Sequence, residues 1–239
     1  MRANFNYIKL IFLLIVVVFL YAFSAHRNTA RIVGEPQVKF KGGENLYIAA
    51  QTVSKLLIQN YKGVKNTSKE ALDLNKLETA LNSNEMIKSA EVYLSVNGVL
   101  TAEVEQKKPI ARVLAKTSYY IDDQGSYMPL SSYHSARVPL VTGKIDRNNL
   151  NNIYKIAQKV NTDVFLKKNV IQIHQTKNND LFLQLRGYDF TVQLGGLNNL
   201  EKKINNLKAF YKKGLKDNIL NDYKTVNLKF DSQVVCTKA

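Results

Sequence analysis

Ala90-Glu-Val-Tyr-Leu-Ser-Val96 and Val99-Leu-Thr-Ala-Glu-Val-Glu105, joined by Asn97-Gly98, decide how the first half of this 239-residue chain folds. Each run alternates apolar and polar residues, the period of a half-buried strand. Asn-Gly between two such runs predicts a tight hairpin with positive φ at both turn residues. Upstream, Pro36-Gln-Val-Lys-Phe-Lys41 also alternates, and Gly42-Gly43 ends it. Ile48, Val53, Leu56, Leu57 and Tyr61 fall near helical spacing, and Leu74, Leu77 and Leu81 fit a second short helix. The expected order over residues 36–107 is strand, helix, helix, strand, strand, with both helices covering one face of a small sheet.

The sequence before this unit holds the longest apolar run. Leu10 to Phe23 is unbroken, and the span from Tyr7 to Ala25 is interrupted only by Lys9 and Ser24. At 1.5 Å per residue it reaches about 28 Å, close to the hydrocarbon thickness of a bilayer. We read 8–25 as a transmembrane helix after a short cytoplasmic tail, 1–7. A cleaved signal peptide is the competing reading, because Ala22-Phe23-Ser24 offers small residues at cleavage spacing. Arg2 and Lys9 precede the span and Arg27 and Arg31 follow it, so flanking charge does not orient it.

Residues 108–239 predict a second, larger domain of mixed strands and helices. Ile110–Leu114, Tyr119–Ile121, Met128–Leu130 and Val138–Gly143 read as short strands, and Leu150–Val160 as a helix. Val170–His174, Leu181–Leu185 and Phe190–Leu194 are further strands. A helix follows with Leu197, Leu200, Ile204, Leu207 and Tyr211 on one face, surrounded by Lys202, Lys203, Lys208, Lys212 and Lys213, with Gly214 as its C-terminal cap. Thr225-Val-Asn-Leu-Lys-Phe230 is the final strand expected. The fold class is therefore α+β: an N-terminal transmembrane helix, a small β-α-α-β-β domain, and a larger mixed domain with an antiparallel-rich sheet and a C-terminal edge strand.

Composition limits the chemistry. Lysine and arginine total 34 against 19 acidic residues, a net charge of +15, and residues 108–239 carry +11 of it. A basic face suits anionic lipid, nucleic acid or an acidic protein, or is simply solvated. Lysine outnumbers arginine, no nucleic-acid recognition motif is present, and an anchor would remove the domain from DNA, so no nucleic-acid partner is expected. The single cysteine, Cys236, excludes an intramolecular disulfide and a CxxC pair, and His26, His134 and His174 lack metal-ligand spacing. No GxSxG, HExxH or Cys–His arrangement appears. Asp122 and Asp123 are adjacent and on a strand would face opposite sides, which suits a turn or a cap better than catalysis. Turn and strand-end chemistry also accounts for Gly125, Pro129, Pro139 and Gly143. No enzyme, cofactor, metal or small-molecule substrate is expected.

Several stretches together carry a family likeness. Pro109-Ile-Ala-Arg-Val113, Tyr120-Ile-Asp-Asp-Gln-Gly125, Met128-Pro-Leu130, Val138-Pro-Leu-Val-Thr-Gly143, the lysine-rich helix near 197–213 and Tyr223-Lys-Thr-Val-Asn-Leu-Lys-Phe-Asp231 resemble, in order and spacing, the bacterial cell-division proteins FtsQ/DivIB. The first unit then resembles that family's POTRA domain, placed after a single anchor. The resemblance implies an inner-membrane protein at the division septum, its N-terminus cytoplasmic and its bulk extracytoplasmic (periplasmic). It implies a non-catalytic scaffold that links early and late division proteins by binding FtsB- and FtsL-like partners. The tail here is much shorter than in many relatives, and Ser232-Gln-Val-Val-Cys-Thr-Lys-Ala239 departs from the family's usual end.

The expected partner site is the last strand, whose unpaired backbone groups can accept a partner's strand if it lies at a sheet edge. The resemblance assigns Lys229, Phe230, Asp231, Ser232 and Gln233 to it. Phe210, Tyr211 and Lys212 on the preceding helix can extend it, with lysines attracting an acidic partner; for Tyr211 a core role is the stronger reading. Two alternatives differ in class. One is an anchored extracytoplasmic protein whose basic surface binds lipid headgroups or cell-wall polymer. The other is a POTRA-bearing transport or assembly factor, although repeated POTRA units and a barrel-length extension are missing.

Overall fold

The structure, a computed structural model, describes residues 5–29, 35–43, 45–60, 72–230 and 233–239. Helix α1 (Phe5–Thr29) contains 20 apolar-rich residues, Tyr7–His26, long and apolar enough to cross a membrane and exposed throughout. It continues without a break through Ala22-Phe23-Ser24. The chain divides into two compact units, Met1–Gln106 and Lys107–Ala239, one residue earlier than the boundary expected from sequence.

The first unit contains β1 (Gln37–Lys41), α2 (Ala50–Asn60), α3 (Leu74–Asn82), β2 (Ile87–Leu94) and β3 (Leu100–Gln106) in the expected order. Tyr61, read as the end of the first helix, lies outside the described residues. The sheet order is β1-β3-β2: the hairpin pairs β2 with β3, and β1 adds to the far side of β3 in parallel, Gln37 opposite Thr101. Val53, Leu57, Leu77 and Leu81 from the helices pack on Ala90, Val92, Ala102 and Val104 from the sheet. Burying each of the larger aliphatic side chains contributes about 1.5–3 kcal/mol. Asp73 caps α3 by accepting the Lys76 N–H at 3.0 Å. At the helix's other end, the Asn82 side chain accepts from Ala90 N at 2.7 Å and donates to Ala90 O at 3.2 Å, fastening α3 to β2.

The hairpin turn differs from the expectation. Only Gly98 has positive φ (90°); Asn97 does not. Gly98 N–H donates to Ser95 O, and Ser95 N–H donates to Val99 O, both at 3.0 Å. This is a three-residue loop ending in a left-handed glycine, not a two-residue turn. The Ser95 hydroxyl provides the reason: it donates to Val99 O and accepts from Val99 N, closing the wider loop with an extra pair of bonds.

The second unit contains β4 (Pro109–Val113), β5 (Tyr119–Asp122), β6 (Tyr127–Pro129), β7 (Leu140–Gly143), α4 (Asn151–Thr162), α5 (Val164–Asn169), β8 (Val170–Gln175), β9 (Leu181–Leu185), β10 (Thr191–Gly195), α6 (Leu200–Asp217), β11 (Tyr223–Asn227) and β12 (Val235–Lys238). One nine-stranded sheet runs in the order β12-β11-β10-β9-β8-β7-β4-β5-β6. Antiparallel pairs predominate, and β4–β7, β7–β8 and β10–β11 are parallel. Ile153, Ile156 and Val160 of α4, Leu166 of α5, and Ile204 and Leu207 of α6 share one core with the strands.

Three local expectations are corrected here. The six-residue helix α5 was not read from sequence. Its N-cap is Asp163, whose Oδ1 accepts the N–H groups of Phe165 and Leu166 at 3.0 and 3.2 Å. Helix α6 continues past Gly214 to a left-handed Asn218 cap. Gly214 is buried inside it, where a Cβ would meet the Leu220 side chain at 2.3 Å. Lys203, expected on the solvent side, is 3% exposed: its ammonium donates to Leu194 O at 3.1 Å and Gly196 O at 2.8 Å, holding the turn between β10 and α6.

Candidate partner-binding edge

Strand β11 lies beside β10 in parallel, Thr191 opposite Thr225 and Gln193 opposite Asn227. The alternation Thr225–Phe230 reads as one strand, yet the ladder ends at Asn227. Leu228 is buried and its N–H still donates to Gln193 O at 2.9 Å. The Asn227 side-chain oxygen then accepts the Lys229 N–H at 2.9 Å, an asparagine turn that lifts the chain out of the sheet. The chain returns as β12, antiparallel to β11, with Cys236 opposite Val226. Ala239 N–H closes the return by donating to Asp222 O at 2.9 Å. The strand expected at the edge is therefore interior, and the four residues of β12 form the edge instead.

Lys229 and Phe230 sit in the turn just beyond β11. The Lys229 stem lies over Gly195 and its ammonium meets Asp180 Oδ2 at 2.6 Å. Phe230 is 47% exposed, large for an aromatic ring. Asp231 and Ser232 lie outside the described residues, and Gln233 is exposed. On β12, Val235 is 39% exposed and Thr237 and Lys238 face solvent. The Cys236 thiol is half-buried, and that burial pushes its pKa up. The edge therefore combines open backbone groups, two exposed apolar side chains and a lysine at each end.

Phe210, Tyr211 and Lys212 are not brought to this turn. Phe210 packs edge-on against Phe190 and against Tyr223, the first residue of β11, with ring centroids 6.2 and 5.5 Å apart. Tyr211 packs the same way against Phe165 and Tyr188 at 5.1 and 5.7 Å. Burial, reinforced by Tyr188, raises its phenol pKa. Both rings belong to the aromatic margin of the core, while Lys212 is exposed. Lys229 and Phe230 follow the last residue of β11, so the two groups lie at opposite ends of that strand. What sequence reading missed is β12; its signal was the β-branched run Val234-Val-Cys-Thr237, short and next to the terminus.

Asp122 and His174 both have local bonding partners. Asp122 Oδ1 accepts from Gln124 N and Ser126 N at 3.0 and 2.7 Å, organising the turn before β6, and its other oxygen faces Lys107 Nζ at 3.2 Å. His174 Nδ1 is bonded to the Thr142 hydroxyl at 3.0 Å. Among the described residues, no three His, Cys, Asp or Glu side chains converge as a metal site would require.

Comparison with known families agrees with this architecture. A family model described as "FtsQ/DivIB, C-terminal related" matches residues 108–237, and one for a POTRA-like domain matches residues 38–105. A search of curated proteins found no match. The first match covers the nine-stranded sheet but for its last residue, and the second covers the β-α-α-β-β unit after the apolar helix but for the residue at either end. With more than half of its length under the first model, this chain belongs to the FtsQ/DivIB family of bacterial cell-division proteins.

Proposed function

We propose that this chain is a non-catalytic scaffold of the division machinery, anchored in the cytoplasmic membrane at the septum with its two folded units on the extracytoplasmic side. It binds FtsB- and FtsL-like partners through β12 and the turn before it, using Lys229, Phe230, Asp231, Ser232 and Gln233. Family membership and the apolar helix support a membrane-anchored division protein. The observation that carries the partner site is the edge itself: a short open strand beside an exposed Phe230 and a cationic Lys229. A partner segment pairing along β12 gains main-chain hydrogen bonds, and Phe230 and Val235 supply apolar contact. Anchoring in the membrane raises the local concentration of membrane-bound partners, so modest contacts suffice. Phe210 acts from the core, packing on Tyr223 at the start of β11, while Tyr211 packs on Phe165 and Tyr188.

The test is capture of the extracytoplasmic segments of FtsB- and FtsL-like proteins by the full chain in detergent, alongside Phe230→Ala and Lys229→Glu. We expect each substitution to weaken capture about tenfold or more, with circular dichroism unchanged. Undiminished capture by both variants sinks the assignment to this edge. No capture by the folded wild-type chain removes the partner reading altogether.

A further inference from the structure

A second feature lies at the other end of the same sheet. Strands β4, β7 and β8 run parallel, with Arg112, Leu140 and Gln172 in register, and β8, β10 and β11 point the same way. The turn after β11 is therefore at the C-terminal end of these strands. At their N-terminal end, a cleft of about 370 Å³ is floored by Ile110, Val160 and Val170, with Val138 and Pro139 forming its side. Three cations from three separate elements ring it: Arg137 from the segment entering β7, Lys167 from α5, and Arg186 from the turn after β9. All three are exposed, and no acidic side chain lines the cleft.

Four lysines of this unit do find acids. Lys107 faces Asp122, Lys159 and Lys208 share Asp163, and Lys229 meets Asp180. Among the described residues, Arg137, Lys167 and Arg186 make no such pair. An ordinary solvated basic surface needs no apolar floor, and an ordinary apolar gap is not ringed by cations. The combination fits an occupant that is both anionic and apolar. Guanidinium groups grip carboxylates in forked pairs, and the floor has room for an aliphatic side chain between them. Asn161, also at the cleft, offers an amide to a peptide backbone. A flat bilayer surface meets the rim cations but leaves the apolar floor unfilled, and a nucleic-acid backbone needs an extended track of cations. We infer that this cleft is a second docking site, for an acidic peptide segment carrying an aliphatic anchor. It is independent of the β12 edge and does not rest on that assignment.

The probe is a fluorescein-labelled peptide, acetyl-Glu-Glu-Leu-Glu-Glu-amide, titrated onto the full chain in zwitterionic detergent and read by anisotropy. Saturable binding is expected, weakened about tenfold by Arg137→Glu with Arg186→Glu, and comparably by raising salt from about 50 to about 300 mM. Lys167→Gln, a milder change, weakens it about threefold. Lys216→Glu, on the exposed last turn of α6, and Lys229→Glu at the other site leave it unchanged. Equal binding of the Gln-Gln-Leu-Gln-Gln peptide, equal loss with Lys216→Glu, or no loss with the double variant each overturns the inference. So does a double variant that keeps the peptide but no longer floats with phosphatidylglycerol vesicles, because the cleft would then be a lipid site.

Discussion

The two sheets are assembled from similar strands in different ways. In the three-stranded sheet, the last strand, β3, occupies the centre, flanked by its hairpin partner β2 and by β1. In the nine-stranded sheet, the last strand is at the rim, and three of the eight pairings are parallel links between strands distant in sequence. A strand at the centre of a sheet has both sides paired. One at the rim leaves a row of backbone groups on one side, and the proposed partner site lies there. Both sheets contain parallel links between distant strands, so what differs is the place of the last strand and the contacts that hold each unit, which substitutions can test.

The largest effect is expected at Gly143. It ends β7 with φ at 99°, and a Cβ there would lie 2.0 Å from Gln175 O on the neighbouring parallel strand. Gly143→Ala should cost roughly 3 kcal/mol or more, because strained φ and a backbone clash act together. Hydrogen exchange read by mass spectrometry should show loss of protection throughout 107–239 and little change in the first unit. Equal loss in both would break the division between the sheets.

Next is Lys203→Met. It removes the donor from the carbonyls of Leu194 and Gly196 while keeping most of the apolar stem. A cost of about 2 kcal/mol by denaturant melting is expected, since buried carbonyls lose a charged donor. A neutral result would mean that water reaches those carbonyls.

Asp163 joins three helices: it caps α5, and its Oδ2 meets Lys208 at 2.6 Å and Lys159 at 3.9 Å. Burial alone would raise its pKa, but the bonds from Lys208 and Leu166 and the nearby lysine charges outweigh it, so the carboxyl lies below the usual carboxylate range. A depressed folded pKa stabilises above the unfolded value near 4 and loses that stabilisation as pH falls through the folded one. Asp163→Asn should cost about 1–2 kcal/mol at pH 7. The gap to wild type should narrow in melts below about pH 4. A gap constant down to pH 2 would show that the cap matters rather than the charge.

The smallest effect is expected in the first unit. Asn82→Ala removes both bonds to Ala90, costing about 1 kcal/mol. Melting should register it in the hairpin unit alone; a larger loss would show that α3, rather than the β2–β3 pairing, holds that unit together.

Much of this was legible in the residues. Apolar runs and alternation identified the N-terminal apolar helix, both helices of the first unit and most strands of the second, because burial period is written locally. The family motifs at Pro109–Val113 and Tyr120–Gly125 carried the likeness that the domain matches then supported. The helix around Leu207 was equally plain, but its end at Asn218 was not, since Gly214 resembles a cap unless Leu220 is known to pack against it. For the proposed site, the family resemblance pointed to the C-terminal region and to Lys229–Gln233 within it. It did not show that Asn227 turns the chain, that β12 takes the edge, or that Phe210 and Tyr211 belong to the core at the other end of β11.

By itself, then, the sequence determined the N-terminal apolar helix, the two-unit organisation, the helical and strand periods and the basic charge of the second half. Tertiary structure alone decided which strand is exposed, which lysine is buried and which cations share a cleft. The physical reason is range. Period and turn chemistry act over a few residues. Strand order, the buried Lys203 and the meeting of Arg137, Lys167 and Arg186 depend on contacts between segments that are neighbours only after the chain has folded.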